Sequence, residues 1–220
     1  MSLREALHEL AASARARRPT EVQRVIDAAL DGLRDSGIAQ SCLQPGEMAP
    51  DFTLPTADGA SVSLEAMLRD GPVVIAFYRG GWCPYCNLTL RALNDLAPAL
   101  QASDATLVAI APQRAEAQRM TGDKHGLRFP LLVDHDNRVA QLFGLAFRMP
   151  DDLVALYRGL GIDLPAANAA KEWVLPLPAT YVVARDGAVA AAFIDTDYTK
   201  RAEPAEILAA VTRLAKEPVP

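Results

Sequence analysis

Residues 73–94 read VVIAFYRGGWCPYCNLTLRALN. Val73 to Tyr78 form an unbroken apolar run, the pattern of a strand covered on both faces. Gly80 and Gly81 end it, and Trp82, Cys83 and Cys86 lead into a helix-like segment whose first turn carries Pro84. Proline suits that position, because the N–H it lacks has no partner there anyway. The stretch therefore predicts strand, turn and helix, with two thiols around the helix start. Unpaired backbone N–H groups and the positive end of the helix dipole favour a thiolate in such a place. A spacing of three puts both sulfurs on one face, with Cβ atoms about 5–6 Å apart in a regular helix. A disulfide needs about 3.8 Å, a gap that a modest adjustment at a helix end closes. The pair can cycle between dithiol and disulfide.

Outward from this stretch, strands alternate with helices. DFTLPTADGASVSL reads as a hairpin turned at Asp58–Gly59, and Ser63 caps a short helix through Leu68. TLVAIA and FPLLVD read as strands, QRAEAQRMTGDKHG and NRVAQLF as helices. PDDLVALYRGLGI is a further helix, inside an insertion at about residues 148–176. ATYVVA and AVAAAFI are strands joined at Asp186–Gly187, and EPAEILAAVTRLAKE (203–217) closes the chain as a helix. The alternation predicts an α/β domain over residues 44–216, a mixed central sheet with helices on both faces. Residues 1–40 form a separate helical extension. Leu3, Leu7 and Leu10 share one face, Pro19 breaks the chain, and Thr20 with Gln23 has a capping-box pattern. Val22, Val25, Ile26, Ala29 and Leu33 mark a second face that ends at Gly37. Two short helices cannot bury such faces alone; packing on the main domain and contact across a homodimer both remain open.

The 220 residues allow one substantial core plus an appendage. Half are hydrophobic and 22% are charged, an ordinary globular balance. With 22 basic and 27 acidic residues, a net charge of −5 gives no reason to expect nucleic acid or an anionic membrane. No apolar run approaches the roughly 20 residues of a membrane span. The first residues carry acids and no continuous apolar block, so a cytoplasmic, reducing setting is expected. An odd count of three cysteines with one close pair points to redox chemistry rather than a disulfide framework. A zinc site would need two more ligands, and Cys42, His8, His125 and His135 show no paired ligand spacing. Neither a metal nor a cofactor is expected.

The ordered motifs LQPGEMAPDFTL, VVIAFYRGGWCPYC, LVAIAP, FPLLVD and ATYVVARDGAV resemble the peroxiredoxin family, in the broad alkyl hydroperoxide reductase and thiol-specific antioxidant sense. The resemblance spans about residues 44–212. It implies a thioredoxin-like fold that reduces hydroperoxides through a cysteine sulfenic acid, with a thioredoxin- or glutaredoxin-like protein as reductant. Laid on the family pattern F-Y-P-x-x-x-T-x-x-C, the proline falls on Arg79, the threonine on Cys83 and the peroxidatic cysteine on Cys86. Cys83 would then attack the Cys86 sulfenic acid and form the disulfide.

Departures from that pattern shape the expected site. The arginine that the family places just before its late strand is Pro178 here. Arg79 can supply the missing positive charge, against the plainer reading of a solvated arginine at a strand end. Trp82 shields the site, contacts a partner or simply packs. WCPYC, and a proline two residues before Thr180, also resemble thioredoxin-like reductases, which use the first cysteine as nucleophile. A thiol–disulfide oxidoreductase acting through Cys83 therefore stays open, as does a non-catalytic redox-sensing or binding module. Asp197, Tyr198 and Arg201 in DTDYTKR are read as a surface ion-pair or helix-entry run. Cys42 is read as a linker thiol. Asn168 and Trp173 either line the cleft opposite the cysteines or cover the sheet edge.

Overall fold

The computed structural model describes residues 1–168 and 170–215. The chain opens with α1 (Leu3–Arg17), α2 (Thr20–Asp35) and a single turn, α3 (Ile38–Ser41). At the start of α1, Ser2 Oγ accepts the Glu5 N–H at 3.2 Å and Glu5 Oε2 accepts the Ser2 N–H at 2.8 Å, a reciprocal cap. The capping pair expected at Thr20 and Gln23 does not form. Thr20 is already helical, Pro19 precedes it, and no side chain caps α2; the φ fixed by the proline ring leads into the first turn instead. Gly37, at φ 70°, takes the left-handed conformation that ends α2.

β1 (Thr53–Pro55) and β2 (Ser61–Ser63) form the expected hairpin, and Ser63 Oγ accepts the Ala66 N–H at the start of α4 (Leu64–Asp70). Then come β3 (Val73–Phe77), α5 (Pro84–Gln101), β4 (Thr106–Ala111), α6 (Ala115–His125), β5 (Leu131–Val133) and α7 (Arg138–Leu142). β6 (Ala146–Arg148), α8 (Asp151–Gly159), α9 (Leu164–Ala167) and β7 (Val174–Pro176) precede β8 (Ala179–Val183), β9 (Val189–Ile194) and α10 (Pro204–Leu214). The central sheet has the order β5-β4-β3-β8-β9. β3, β4 and β5 run parallel, whereas β8 is antiparallel to both β3 and β9. This is the thioredoxin-like arrangement that the resemblance implies.

β3 is buried along its whole length because the sheet is covered twice. Val74, Ala76 and Tyr78 face a core closed by Leu90 and Leu93 of α5, Ile207 and Val211 of α10, and Leu3 and Leu7 of α1. Val73, Ile75 and Phe77 face the other, with Leu64, Phe143 and Tyr181. α1 lies against α5, and α2 against α8, so the N-terminal helices pack on the main domain of the same chain, with Leu3, Leu7 and Ala29 buried and the rest of the α2 face half-buried. β6 and β7 pair as an antiparallel ribbon that the sequence reading did not contain, and α8 and α9 lie on the chain between them. Of the last expected helix, Lys216 and Glu217 lie outside the described residues, as does the expected domain end at 216. No helix among the described residues is long and apolar enough to cross a membrane.

Leu7 is 3% exposed and sits in the same core as Cys86. Leu7→Ala is expected to cost about 2–4 kcal/mol, the usual range for a buried leucine. The measurement is urea unfolding; an unmoved midpoint would mean that α1 does not belong to this core.

Candidate active site

The site is built where β3 runs into α5. Gly80 has φ 138°, and a Cβ there would strike the Trp82 indole; one on Gly81 would strike the Thr121 side chain. The turn is pinned from two sides. Gly81 N–H donates to Gln113 Oε1 at 2.8 Å, and Asn87 Nδ2 donates to the Gly81 carbonyl at 2.9 Å. Cys83 then occupies the N-cap of α5, Pro84 its first position and Cys86 its third. Both cysteines are free thiols, 2% and 0% exposed respectively.

Arg79 is 4% exposed, not a solvated strand-end residue. Its guanidinium carbon lies 5.0 Å from the Trp82 ring centroid and 4.6 Å from that of Tyr198, and Nη2 donates to Tyr157 Oη at 2.9 Å. Its Nε has no hydrogen-bond partner among the described residues. A second guanidinium comes from the loop after β9, where Arg201 Nη2 lies 3.8 Å from Cys86 Sγ. No carboxylate among the described residues pairs with either arginine.

These groups divide the two thiols. Burial alone would push Cys86 up. A hydrogen bond from the Cys83 thiol, the charges of Arg201 and Arg79, and the Arg79 backbone N–H outweigh it and hold Cys86 well below the ordinary thiol range. Cys83 moves the other way, raised by its hydrogen bond to Cys86, by burial and by the Cys86 charge. The two shifts run in opposite directions, and Cys86 is the thiol the surroundings favour as thiolate. Tyr78, whose buried hydroxyl has no partner among the described residues, is pushed up by burial and by the Cys86 charge.

Of the residues singled out in the sequence, Cys83, Cys86, Arg79 and Trp82 come together. Pro178, after a trans peptide, lines a cleft of about 310 Å³ that also contains Thr180 and Arg201, and a cavity of about 30 Å³ that reaches Arg79 and Tyr157. Arg201 is a correction: it touches the Cys86 sulfur instead of forming a surface ion pair. Tyr198 is another, stacked edge-on against Tyr85 at 5.3 Å and beneath Arg79. Tyr157, carried by α8, has no signal in the sequence. Asn168 belongs to the cleft side of its two readings. It is buried, its Oδ1 accepts the Trp82 indole N–H at 3.3 Å, and its Nδ2 donates to the Arg79 carbonyl at 3.5 Å. Trp173 packs instead with Met149, Leu164 and Leu175. Cys42 is buried 3.2 Å from the carbonyls of Ile38 and Gly144, and burial pushes its thiol up to about 11. It is a free, buried thiol held protonated.

With this geometry in place, comparison with known proteins is informative. The model of the AhpC/TSA family matches residues 45–192. A peroxiredoxin-named protein of Mycobacterium tuberculosis is 37% identical over 102 residues, 46% of this chain and 64% of its own length. The peroxiredoxin-named bcp protein of Helicobacter pylori is 32% identical over 101 residues, 46% of this chain and 66% of its own length. The chain thus spans just under two thirds of these curated relatives. The crystal structure of peroxidoxin BcpB from Mycobacterium tuberculosis superposes with a TM-score of 0.61 at 23% identity, covering 78% of this chain and 97% of that one; it shares the fold.

The charge split predicts which thiol is labelled and when. A lowered Cys86 thiol stays ionised as pH falls below the ordinary thiol range near 8.5. Iodoacetamide should therefore label Cys86 at neutral pH and lose it only in acid, while Cys83 stays unlabelled until alkaline pH. Arg79→Ala should move the Cys86 midpoint upward. Mass mapping across pH checks this, and preferential labelling of Cys83 at neutral pH would contradict the assignment.

Proposed function

The chain belongs to the AhpC/TSA family, and from that premise we propose that it is a thiol-dependent peroxidase that reduces hydrogen peroxide or alkyl hydroperoxides. The carrying observation is geometric: two free, buried thiols stand at the start of α5, Arg201 Nη2 lies 3.8 Å from Cys86 Sγ, and the enclosed Arg79 precedes the turn; these charges lower Cys86, while burial and the Cys86 charge raise Cys83. Cys86 Sγ attacks the terminal oxygen of the hydroperoxide. A sulfur–oxygen bond forms, the oxygen–oxygen bond breaks, and the departing oxygen takes a proton from water to leave as water or an alcohol. The Cys86 sulfenic acid then condenses with the Cys83 thiol, forming the disulfide and releasing water. A dithiol protein of thioredoxin or glutaredoxin type returns the pair to thiols by disulfide exchange, in a reducing compartment such as the cytoplasm. Arg79 steadies the thiolate and Trp82 walls it off from solvent. Residues 1–40 cover the site, and residues 148–176 supply Tyr157 and Asn168 to it.

The reductase reading needs Cys83 as the activated nucleophile, and its environment pushes that thiol the opposite way. A sensing module needs no rapid turnover, which makes rate the deciding measurement.

In stopped flow, the reduced protein should consume hydrogen peroxide at least about 100-fold faster than free cysteine, the scale that preorganised donors supply. Cys86→Ser should abolish the reaction. Cys83→Ser should react once and accumulate a sulfenic acid on Cys86, trappable with dimedone. Dimedone on Cys83 in the Cys86→Ser protein would overturn the assignment, and a rate equal to that of free cysteine would overturn the peroxidase reading.

A further inference from the structure

The two guanidiniums at Cys86 are not equivalent. Arg79 is sealed in: two aromatic rings and the Tyr157 hydroxyl surround it, and the cavity it borders holds about 30 Å³, room for a water or two. It can steady a thiolate but has no open side. Arg201 reaches the same sulfur from the loop between β9 and α10 and also lines the open cleft of about 310 Å³. Pro178, Thr180, Phe193, Lys200 and Glu206 form other parts of that wall.

The loop around Arg201 is braced by its own short bonds. Asp195 Oδ1 accepts the Asp197 N–H at 2.8 Å, Asp197 Oδ1 accepts the Thr199 N–H at 3.0 Å, and the Lys200 N–H donates to the Asp197 carbonyl at 3.0 Å. Arg201 Nη1 donates to the carbonyls of Tyr198 and Lys200, which fixes the plane of the guanidinium. Of the carboxylates around the cleft, Asp195 and Asp197 face Lys200, whose Nζ lies 3.5 Å and 4.0 Å from them, and Glu206 pairs with Arg4. Arg201 thus forms no ion pair with a carboxylate among the described residues. The family pattern places its arginine at the position held here by Pro178. Pro178 lines the same cleft as Arg201, so a guanidinium is offered to the same space from a different element.

We propose that Arg201 is a catalytic residue that binds the hydroperoxide entering through the Pro178–Arg201 cleft, holds its terminal oxygen against Cys86 Sγ, and hydrogen-bonds the departing oxygen as charge develops on it. The proposal rests on the peroxidase reading. It replaces the motif arginine by one that lies 115 residues from the cysteine it serves, and it gives Arg201, which with Arg79 lowers the Cys86 thiol, a second role toward the peroxide that the enclosed Arg79 does not share. The atoms balance as in the reaction above, with Arg201 donating hydrogen bonds throughout and giving up no proton.

The test compares the reduced full-length protein with Arg201→Gln and Arg201→Lys. Each is assayed at a pH where its Cys86 is fully ionised, so that a change in thiol ionisation cannot carry the result. Two reagents are used: hydrogen peroxide, and iodoacetamide, whose reaction releases no oxyanion. Arg201→Gln should lose about 100-fold with peroxide, the range seen when one preorganised donor is removed, and change less than about threefold with iodoacetamide. Arg201→Lys should recover part of the peroxide rate, since it keeps the charge without the fork. Equal losses with both reagents, or none with peroxide, would overturn the role of Arg201 while leaving a fast wild type and the peroxidase reading intact. A wild type no faster than free cysteine would sink both.

Discussion

A buried sulfur is flanked by two arginines whose charges lower its pKa and which pair with no carboxylate among the described residues. That single arrangement sets the rest of the site. Two unit charges 4 Å apart attract by about 1 kcal/mol in water and about 4 kcal/mol at an effective dielectric of 20. The attraction therefore needs the burial, although burial by itself opposes the thiolate. The balance favours the charged form because the donors are fixed beforehand. Arg201 Nη2 reaches the Cys86 sulfur at 3.8 Å, and the Arg79 side chain is clamped between the Trp82 and Tyr198 rings.

Helix geometry alone does not choose between the two cysteines. Both stand at the start of α5, where free N–H groups and the dipole stabilise a thiolate at either position. What breaks the tie lies outside the helix. Arg79, at the end of β3, precedes the turn, and Arg201 comes from beyond β9; both bear on Cys86. Arg79 also lowers Cys83, yet there the hydrogen bond to Cys86, burial and the Cys86 charge prevail. Once Cys86 is charged, its own field keeps the Cys83 proton in place. The first thiol to ionise thereby makes the second harder to ionise, and the pair is left with one nucleophile and one proton-bearing partner.

What the sequence made legible follows from the range of the signals. The run Val73–Tyr78, the glycine pair, Pro84 at the helix start and the Asp58–Gly59 turn are local features, and each became the element expected. Gly80 and Gly81 are required by the approach of Trp82 and Thr121, which the sequence hints at only as a break. β6 and β7 are three residues each and pair across the helices between them, so no short-range pattern announces them. Thr20 misled because a threonine three residues before a glutamine suggests a cap, whereas Pro19 already fixes the helix entry. Arg201 and Tyr198 stood in view within DTDYTKR, but their partners are more than 100 residues away, and an arginine in a polar loop reads as solvated unless that distance is closed by the fold.

The segments outside the central sheet follow from the same electrostatic need. Arg79 stands where the family pattern has a proline, a residue with no charge to desolvate. A guanidinium there must be enclosed if it is to pull on the sulfur at close to full strength, yet it cannot be given a carboxylate, which would cancel that pull. Aromatic faces and a phenol meet both demands, since they accept a cation without neutralising it. Tyr157 comes from α8, and Tyr198 from the loop after β9. Asn168, just beyond α9, fixes Trp82 through its indole N–H. α2 closes the outside by laying Ile26, Ala29, Leu30 and Leu33 along the same small cavity. Without α2, α8 and α9 the sheet and α5 would still present two cysteines at a helix start, but Arg79 would face water, where its hold on the sulfur falls to about a quarter of the value at the lower dielectric. The charge on Cys86 is thus a property of the whole chain rather than of the Cys-Pro-Tyr-Cys turn.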